Sequence, residues 1–161
     1  MKISKDHIYE WLEEVKDPEI PVLSLPDLGI IRNIEIHDID AVTVTITPTF
    51  VGCPALEMMK SDIMEAIHRR GIRSVSVEIS YQRPWTTDDI SEKGKKALAN
   101  FGLAPPPGSA LIEDLRILEH ATCPRCEGRN TEMRNLFGST LCRSIHYCND
   151  CRESFEQFKP V

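Results

Sequence analysis

Apolar residues over the first eighty positions recur in two rhythms. Steps of three and four put Ile8, Trp11, Leu12 and Val15 on one face, predicting a first helix that Ser4 caps and that Pro18 ends near Asp17. Alternation follows. Ile30–Ile36, with Ile30, Ile34 and Ile36 on one face, and Ala41–Thr47 predict two strands, joined through the turn-like His37-Asp-Ile-Asp40 into an antiparallel hairpin. The helical rhythm returns at Leu56, Met59, Ile63 and Ile67 and ends near Gly71; the Met58-Met59 pair reads as core filler. Ile72–Tyr81 then alternates Val75, Val77 and Ile79 as a third strand. The order helix, strand, strand, helix, strand predicts an α+β fold: a small two-layer sandwich (α-β-β-α-β) with its helices on one sheet face.

Beyond Arg83-Pro-Trp85 the pattern weakens. A Thr86-x-x-Asp89 capping box predicts a further helix with Ile90, Ala97, Leu98 and Phe101 apolar, interrupted by Gly94. Ala104-Pro-Pro-Pro-Gly-Ser109 is a semi-rigid spacer, and Leu111–Leu118 fits helix or strand. The expected division is therefore a domain over 1–103 with its trailing helix, a linker and lead-in over 104–118, and a cysteine-bearing module over 119–161.

Charge removes one class of partner. A net charge of −6 leaves no broad basic footprint, so nucleic acid is not an expected partner. No apolar run approaches the ~20 residues that span a membrane, and Met1–Asp6 carries no export pattern. A cytoplasmic location follows as the expectation, and six cysteines there read as metal ligands or reactive thiols before disulfides.

Four of them have a ligand pattern. Cys123-Pro-Arg-Cys126 and Cys148-Asn-Asp-Cys151 are C-x2-C knuckles, each able to offer two thiolates to adjacent corners of one tetrahedral ion. The module reads as a zinc ribbon held largely by its ion. Four thiolates also serve an iron–sulfur cluster, and Cys142 is either a further thiolate for one or a buried residue of the ribbon. His120 and His146 are bystanders, since no cysteine ligand is missing. From His120 to Val161 six basic residues face five acidic ones, a balance of +1 and too weak to grip phosphates.

Cys53 is a different case. In Thr47-Pro-Thr-Phe-Val-Gly-Cys-Pro-Ala-Leu-Glu57 a strand runs into a Gly-bearing turn, and Pro54 suits a first helical position. That puts Cys53 at or near a helix N-cap, where a thiolate able to bind metal or attack an electrophile is favoured; the bland alternative is a small buried hydrophobe. Upstream, Asp17-Pro-Glu-Ile-Pro-Val-Leu-Ser-Leu-Pro-Asp-Leu-Gly29 packs three prolines and three carboxylates into one loop, as a stiff crossover with solvated acids or as part of a site.

Asp17-Pro-Glu19, Asp27-Leu-Gly29 and Thr47-x-Thr-x-x-Gly-Cys-Pro54, in that order, resemble the SufT-like iron–sulfur cluster assembly domain over about residues 5–85. The tail, Phe137-Gly-Ser-Thr-Leu-Cys142, Cys148-x2-Cys151 and Ser154-Phe-Glu-Gln-Phe-Lys159, resembles the PaaD-type accessory proteins of the phenylacetyl-CoA epoxidase system. The resemblance implies a role in maturing the multicomponent epoxidase that forms the ring-1,2-epoxide of phenylacetyl-CoA. By position, Cys53 would bind a cluster or a transient metal, and Asp17, Glu19, Asp27 and Thr49 would shape its pocket. Cys123, Cys126, Cys148 and Cys151 would hold zinc or an iron–sulfur cluster. Leu141 and Arg143-Ser-Ile-His146 depart from the family pattern around Cys142 and leave its role open.

One protein thiolate cannot close a tight site, which fits delivery better than storage. A non-catalytic assembly factor that works with epoxidase subunits or iron–sulfur assembly proteins is the leading expectation. An iron–sulfur electron-transfer component, a Cys53 thiol enzyme and a zinc-ribbon docking adaptor are the alternatives. An exposed sheet edge would also allow a homodimer.

Overall fold

Alternating Val42, Val44 and Ile46 set the centre of the first sheet. A computed structural model describes residues 3–108 and 119–159. In it those residues lie on β2 (Ala41–Ile46) and are at most 2% exposed. Strand β1 (Ile31–Asp38) pairs with β2 antiparallel, β3 (Ser74–Ile79) pairs with it parallel, and the order is β1-β2-β3. The parallel step needs a crossover, and helix α3 (Leu56–His68) supplies it. Val75, Val77 and Ile79 on β3 are only half-buried, as suits an edge. Along β1 the register slips between Ile31 and Asn33, so Ile31 and Ile34 are both buried although three residues apart.

Helix α1 (Lys5–Leu12) starts as expected, with Ser4 accepting from the His7 N–H in a capping box. It stops at Leu12, well before Asp17. The backbone that would extend it is engaged elsewhere: Asp17 N–H donates to Leu23 O (2.9 Å) and Leu25 N–H to Val15 O (3.0 Å). These bonds flank a bridge between Lys16 and Ser24 and fold residues 17–23 into a closed loop around Ile20, itself 2% exposed. The loop runs into a single helical turn, α2 (Leu25–Leu28), ended by Gly29 at φ 79°. A Cβ there would run into the Asp89 carbonyl, so glycine is needed for space as well as for φ.

Helix α3 buries Met59, Ile63, Ala66 and Ile67. Met58 is not core: 57% of it is exposed. Thr86-x-x-Asp89 does not open a helix either. It yields a 3₁₀ turn at Thr87–Asp89, and helix α4 (Glu92–Phe101) begins three residues later, with Gly94 buried inside it.

The chain divides into two compact units. One takes Met1–Trp85 and Asp89–Ser91; the other takes Thr86–Asp88 and Glu92–Val161. This grouping differs from the expected boundary at 103/104. Leu103 and Ala104 form strand β4 and pair in parallel with β7 (Ser154–Phe158), which ties the segment before the prolines to the second sheet. That sheet runs β4-β7-β6-β5, with β5 (Thr131–Asn135) and β6 (Arg143–Cys148) antiparallel to their neighbours. Among its described residues one core cluster joins Ala104, Ala121, Cys123, Cys148 and Phe155, and Leu103 and Phe158 are also buried. The Leu111–Leu118 stretch lies outside the described residues. Among the described residues no helix is long and apolar enough to cross a membrane.

Candidate functional site

The two knuckles are built alike. In the first, Cys123 N–H donates to Gly128 O (2.9 Å) and Glu127 N–H to Cys123 O (3.0 Å); in the second, Cys148 N–H donates to Glu153 O (2.9 Å) and Arg152 N–H to Cys148 O (2.8 Å). The fourth residue after each leading cysteine, Glu127 or Arg152, takes a left-handed φ of 58° or 63°. The same fold of backbone therefore occurs twice, and each copy turns its thiols toward the other. Sγ of Cys123 lies 3.7 Å from Sγ of Cys151, and Sγ of Cys126 lies 3.6 Å from Sγ of Cys148. All four sulfurs lie within 4.8 Å of one another.

These distances test the metal. Four sulfurs bound tetrahedrally at about 2.3 Å stand about 3.8 Å apart, so the spacing fits one ion. A cluster would put several irons and sulfides between the thiolates and spread them further. The thiols are also poised unevenly. The Cys151 N–H, opposed by burial and helped by the Asp150 N–H, draws the Cys148 thiol down to about 7, while burial pushes Cys151 up to about 12. Four thiols this close cannot all ionise without a cation among them. Among the described residues they are the group of acids, histidines and cysteines close enough to share an ion.

Neither histidine joins them. His146 is fully buried, stacks on Phe155 (centroids 5.6 Å apart) and shares a 2.9 Å hydrogen bond with Ser144 Oγ. Burial, reinforced by His120, lowers its pKa to about 4, so it packs as a neutral ring. His120 Nδ1 is bonded to Thr131 O. Cys142 also stands apart from the four, half-buried, with Thr140 Oγ1 at 3.0 Å from its sulfur.

In the first unit Cys53 is half-buried on the turn between β2 and α3. Gly52 (φ 83°) precedes it, and Leu56 N–H donates to Cys53 O (3.2 Å). The N-cap is Ala55, two residues further on, with no side-chain cap. Cys53 thus sits just outside the helix, where the dipole's pull is already falling off. Phe50 (37%) and Val51 (82%) beside it are exposed.

The acidic loop is held by its own carboxylates. Asp17, 8% exposed, accepts from the Glu19 and Ile20 N–H groups (2.9 and 2.8 Å), a turn that folds residues 17–20. Asp27, also 8% exposed, accepts from Ser24 Oγ (2.9 Å) and Ser91 Oγ (2.6 Å). Glu19 is exposed and Thr49 half-buried. A cleft of about 340 Å³ takes in Asp17, Pro18, Pro21, Met58, Asp62 and Arg69; Asp27, Thr49 and Cys53 do not line it. Ser24 and Ser91 escaped the sequence reading: Ser24-x-x-Asp27 is a local capping pattern that could have found the first, whereas a serine 64 positions from its acid leaves none.

Residues 5–79 match the iron–sulfur cluster assembly protein family, and residues 111–159 match the PaaD zinc beta ribbon domain. A relative from Escherichia coli (strain K12), named as a putative subunit of 1,2-phenylacetyl-CoA epoxidase, is 36% identical over 96% of this chain and 92% of its own length. The chain belongs to the PaaD-type family. Shorter relatives resemble part of this PaaD-type chain. An "Fe-S protein maturation auxiliary factor" from Porphyromonas gingivalis is 34% identical over 56% of the chain and 86% of its own length. Among solved structures, a conserved hypothetical protein from Thermotoga maritima (33% identity, TM-score 0.52) covers 63% of the chain and 97% of its own length. The DUF59 domain from Bacillus anthracis (25%, TM-score 0.55) covers 58% and 90%. The α+β fold and the pairing of an assembly domain with a four-cysteine ribbon agree with these relatives.

Proposed function

We propose that this chain matures a multicomponent phenylacetyl-CoA 1,2-epoxidase of aerobic phenylacetate catabolism, delivering iron or an iron–sulfur cluster through Cys53. One observation carries the proposal: the chain matches a protein named for that epoxidase nearly end to end and, over about half its length, Fe–S maturation auxiliary factors. The chemistry of the turn supports it. A half-buried thiolate on a Gly-Cys-Pro turn offers its cargo one soft ligand, and the others come from the donor, a second subunit or a small thiol. Release is then an exchange of ligands with no net oxidation or reduction. Asp17 and Asp27 serve this chemistry by fixing the loop backbone. Zinc is the proposed ion of the four-cysteine centre, since an all-thiolate set with tetrahedral spacing suits it; bound there, it stabilises the ribbon.

The test is metal and acid-labile sulfide content with a visible spectrum, on anaerobically purified protein and Cys53→Ala. Iron insertion into the epoxidase is measured in the same cells. Cys53→Ala is expected to keep one zinc and a folded chain while lowering client iron by about tenfold or more. Normal epoxidase iron in that variant would refute delivery through Cys53. Colour that survives Cys53→Ala and bleaches with dithionite would make the chain an electron carrier instead.

A further inference from the structure

The loop between β5 and β6 exposes three large apolar side chains within six residues: Leu136 (43%), Phe137 (57%) and Leu141 (70%). A slack loop would do this by chance, but this loop is pinned. Gly138 N–H donates to Arg143 O (2.8 Å) and closes its base, and Phe137 N–H donates to Asn135 Oδ1 (3.0 Å). Ser139 donates twice to Glu156 on β7, from its N–H (2.6 Å) and its hydroxyl (3.0 Å). Arg143 Nη1 reaches both Ser139 Oγ (3.2 Å) and Glu156 Oε2 (3.0 Å). From the far side Lys159 donates its N–H to Cys142 O (2.9 Å) and its Nζ to Leu136 O (3.2 Å). Gly138 allows the close approach: a Cβ there would stand 2.6 Å from Glu156 Oε1 and 3.1 Å from the Arg143 Cβ. Apolar surface fixed in place by this many polar bonds marks an interaction site.

Charge indicates what it meets. Arg143 pairs with Glu156, the carboxylate bonded to this loop among the described residues. The Lys159 ammonium sits 5.0 Å from the Phe137 ring centroid, and among the described residues no carboxylate pairs with it. An apolar knob with a lysine ammonium at its side, unpaired with any carboxylate among the described residues, complements an apolar cleft that holds a carboxylate. The maturation factors that resemble this chain match little more than half of it, whereas the epoxidase relative matches the ribbon too. Client choice therefore belongs in the second unit.

We propose that the 136–142 loop, with Lys159, docks this chain onto the metal-receiving subunit of its client, in an apolar cleft that bears a carboxylate. The inference rests on the maturation reading above. Its test is calorimetric binding of the full metal-loaded chain to the purified, metal-free oxygenase subunits of the epoxidase, at low and high salt. Phe137→Ser with Leu141→Ser is expected to weaken binding by roughly 30-fold or more. Lys159→Glu should weaken it about tenfold and remove much of its salt dependence. Cys53→Ser should bind like the parent, since it spoils the cargo and not the dock. Leu141→Ser alone, at the most exposed position, serves if the double variant fails to hold its metal. Parent-like affinity in the loop variants would overturn the docking site while leaving delivery intact. A parent chain that does not bind the oxygenase would instead overturn the maturation reading. Loop-dependent binding to phosphatidylglycerol vesicles without oxygenase binding would assign the surface to a membrane and overturn it as a protein dock.

Discussion

Asp27 accepts from two serines, one three residues before it and one 64 residues after it. Ser91 also donates its N–H to Asp27 O (2.8 Å), and the Trp85 indole donates to Leu28 O (2.8 Å), so one helical turn gathers the segment that closes the first unit. Asp27→Ala would remove the buried carboxylate that accepts from both hydroxyls and leave Ser24 Oγ with its longer bond to Glu13 Oε2 (3.3 Å), at a cost of about 2–3 kcal/mol. Urea unfolding checks this, and Asp27→Asn should recover part of the loss. A melt unchanged by Asp27→Ala would return Asp27 to a ligand role. Sequence alone left this loop open between a stiff crossover with solvated acids and part of a site. The resemblance implied a pocket, whereas the backbone N–H groups on Asp17 and the serine 64 residues from Asp27 carry no motif.

At the scale of elements, periodicity gave α3, the hairpin and the third strand, because each buries one face and a buried face must repeat. It failed where the backbone is held by other means. Val15 continues the rhythm of α1 yet lies beyond its end, where its carbonyl accepts the Leu25 N–H, and Thr86-x-x-Asp89 has the letters of a cap without the helix. The exposed 136–142 loop was legible as a family motif, whereas its anchorage by Glu156 was not. Burial pushes the Glu156 carboxyl up, but the Ser139 N–H, Arg143 and the Ser139 hydroxyl outweigh it and hold the group below its ordinary 4.5. A depressed carboxylate stabilises the fold fully above its unfolded value and loses that contribution as pH falls through the folded one. Amide protection at 136–142, taken relative to the intrinsic exchange rate at each pH, should therefore be high at neutral pH and fall as pH drops below about 4.5. Glu156→Gln should show the lowered protection at pH 7. Protection that is independent of pH would sink the lock.

For the molecule as a whole, the two units rest on different supports. The first buries fully a set that includes Ile8, Leu12, Leu23, Ile34, Val44, Ile46, Ile63 and Ile67. Among the described residues of the second, the cluster that holds two of the knuckle cysteines has Phe155 as its large apolar side chain, and Leu98, Leu103 and Phe158 are buried beside Ala104 and Ala121 in the same unit. Binding of the ion and folding are then one event for the ribbon. Chelation is expected to abolish the amide protection of β5, β6 and β7 while leaving β1, β2 and α3 protected, a loss in two steps that hydrogen exchange resolves. One concerted transition of the whole chain would contradict it. The parallel pairing of β4 with β7 adds a matter of timing. Leu103 and Ala104 meet Glu156 and Gln157, which are made after all four knuckle cysteines. At ordinary rates of synthesis that is a wait of about 3–10 s. The cysteine module is thus assembled last, by a nascent chain whose first unit has had all its residues since Ser91.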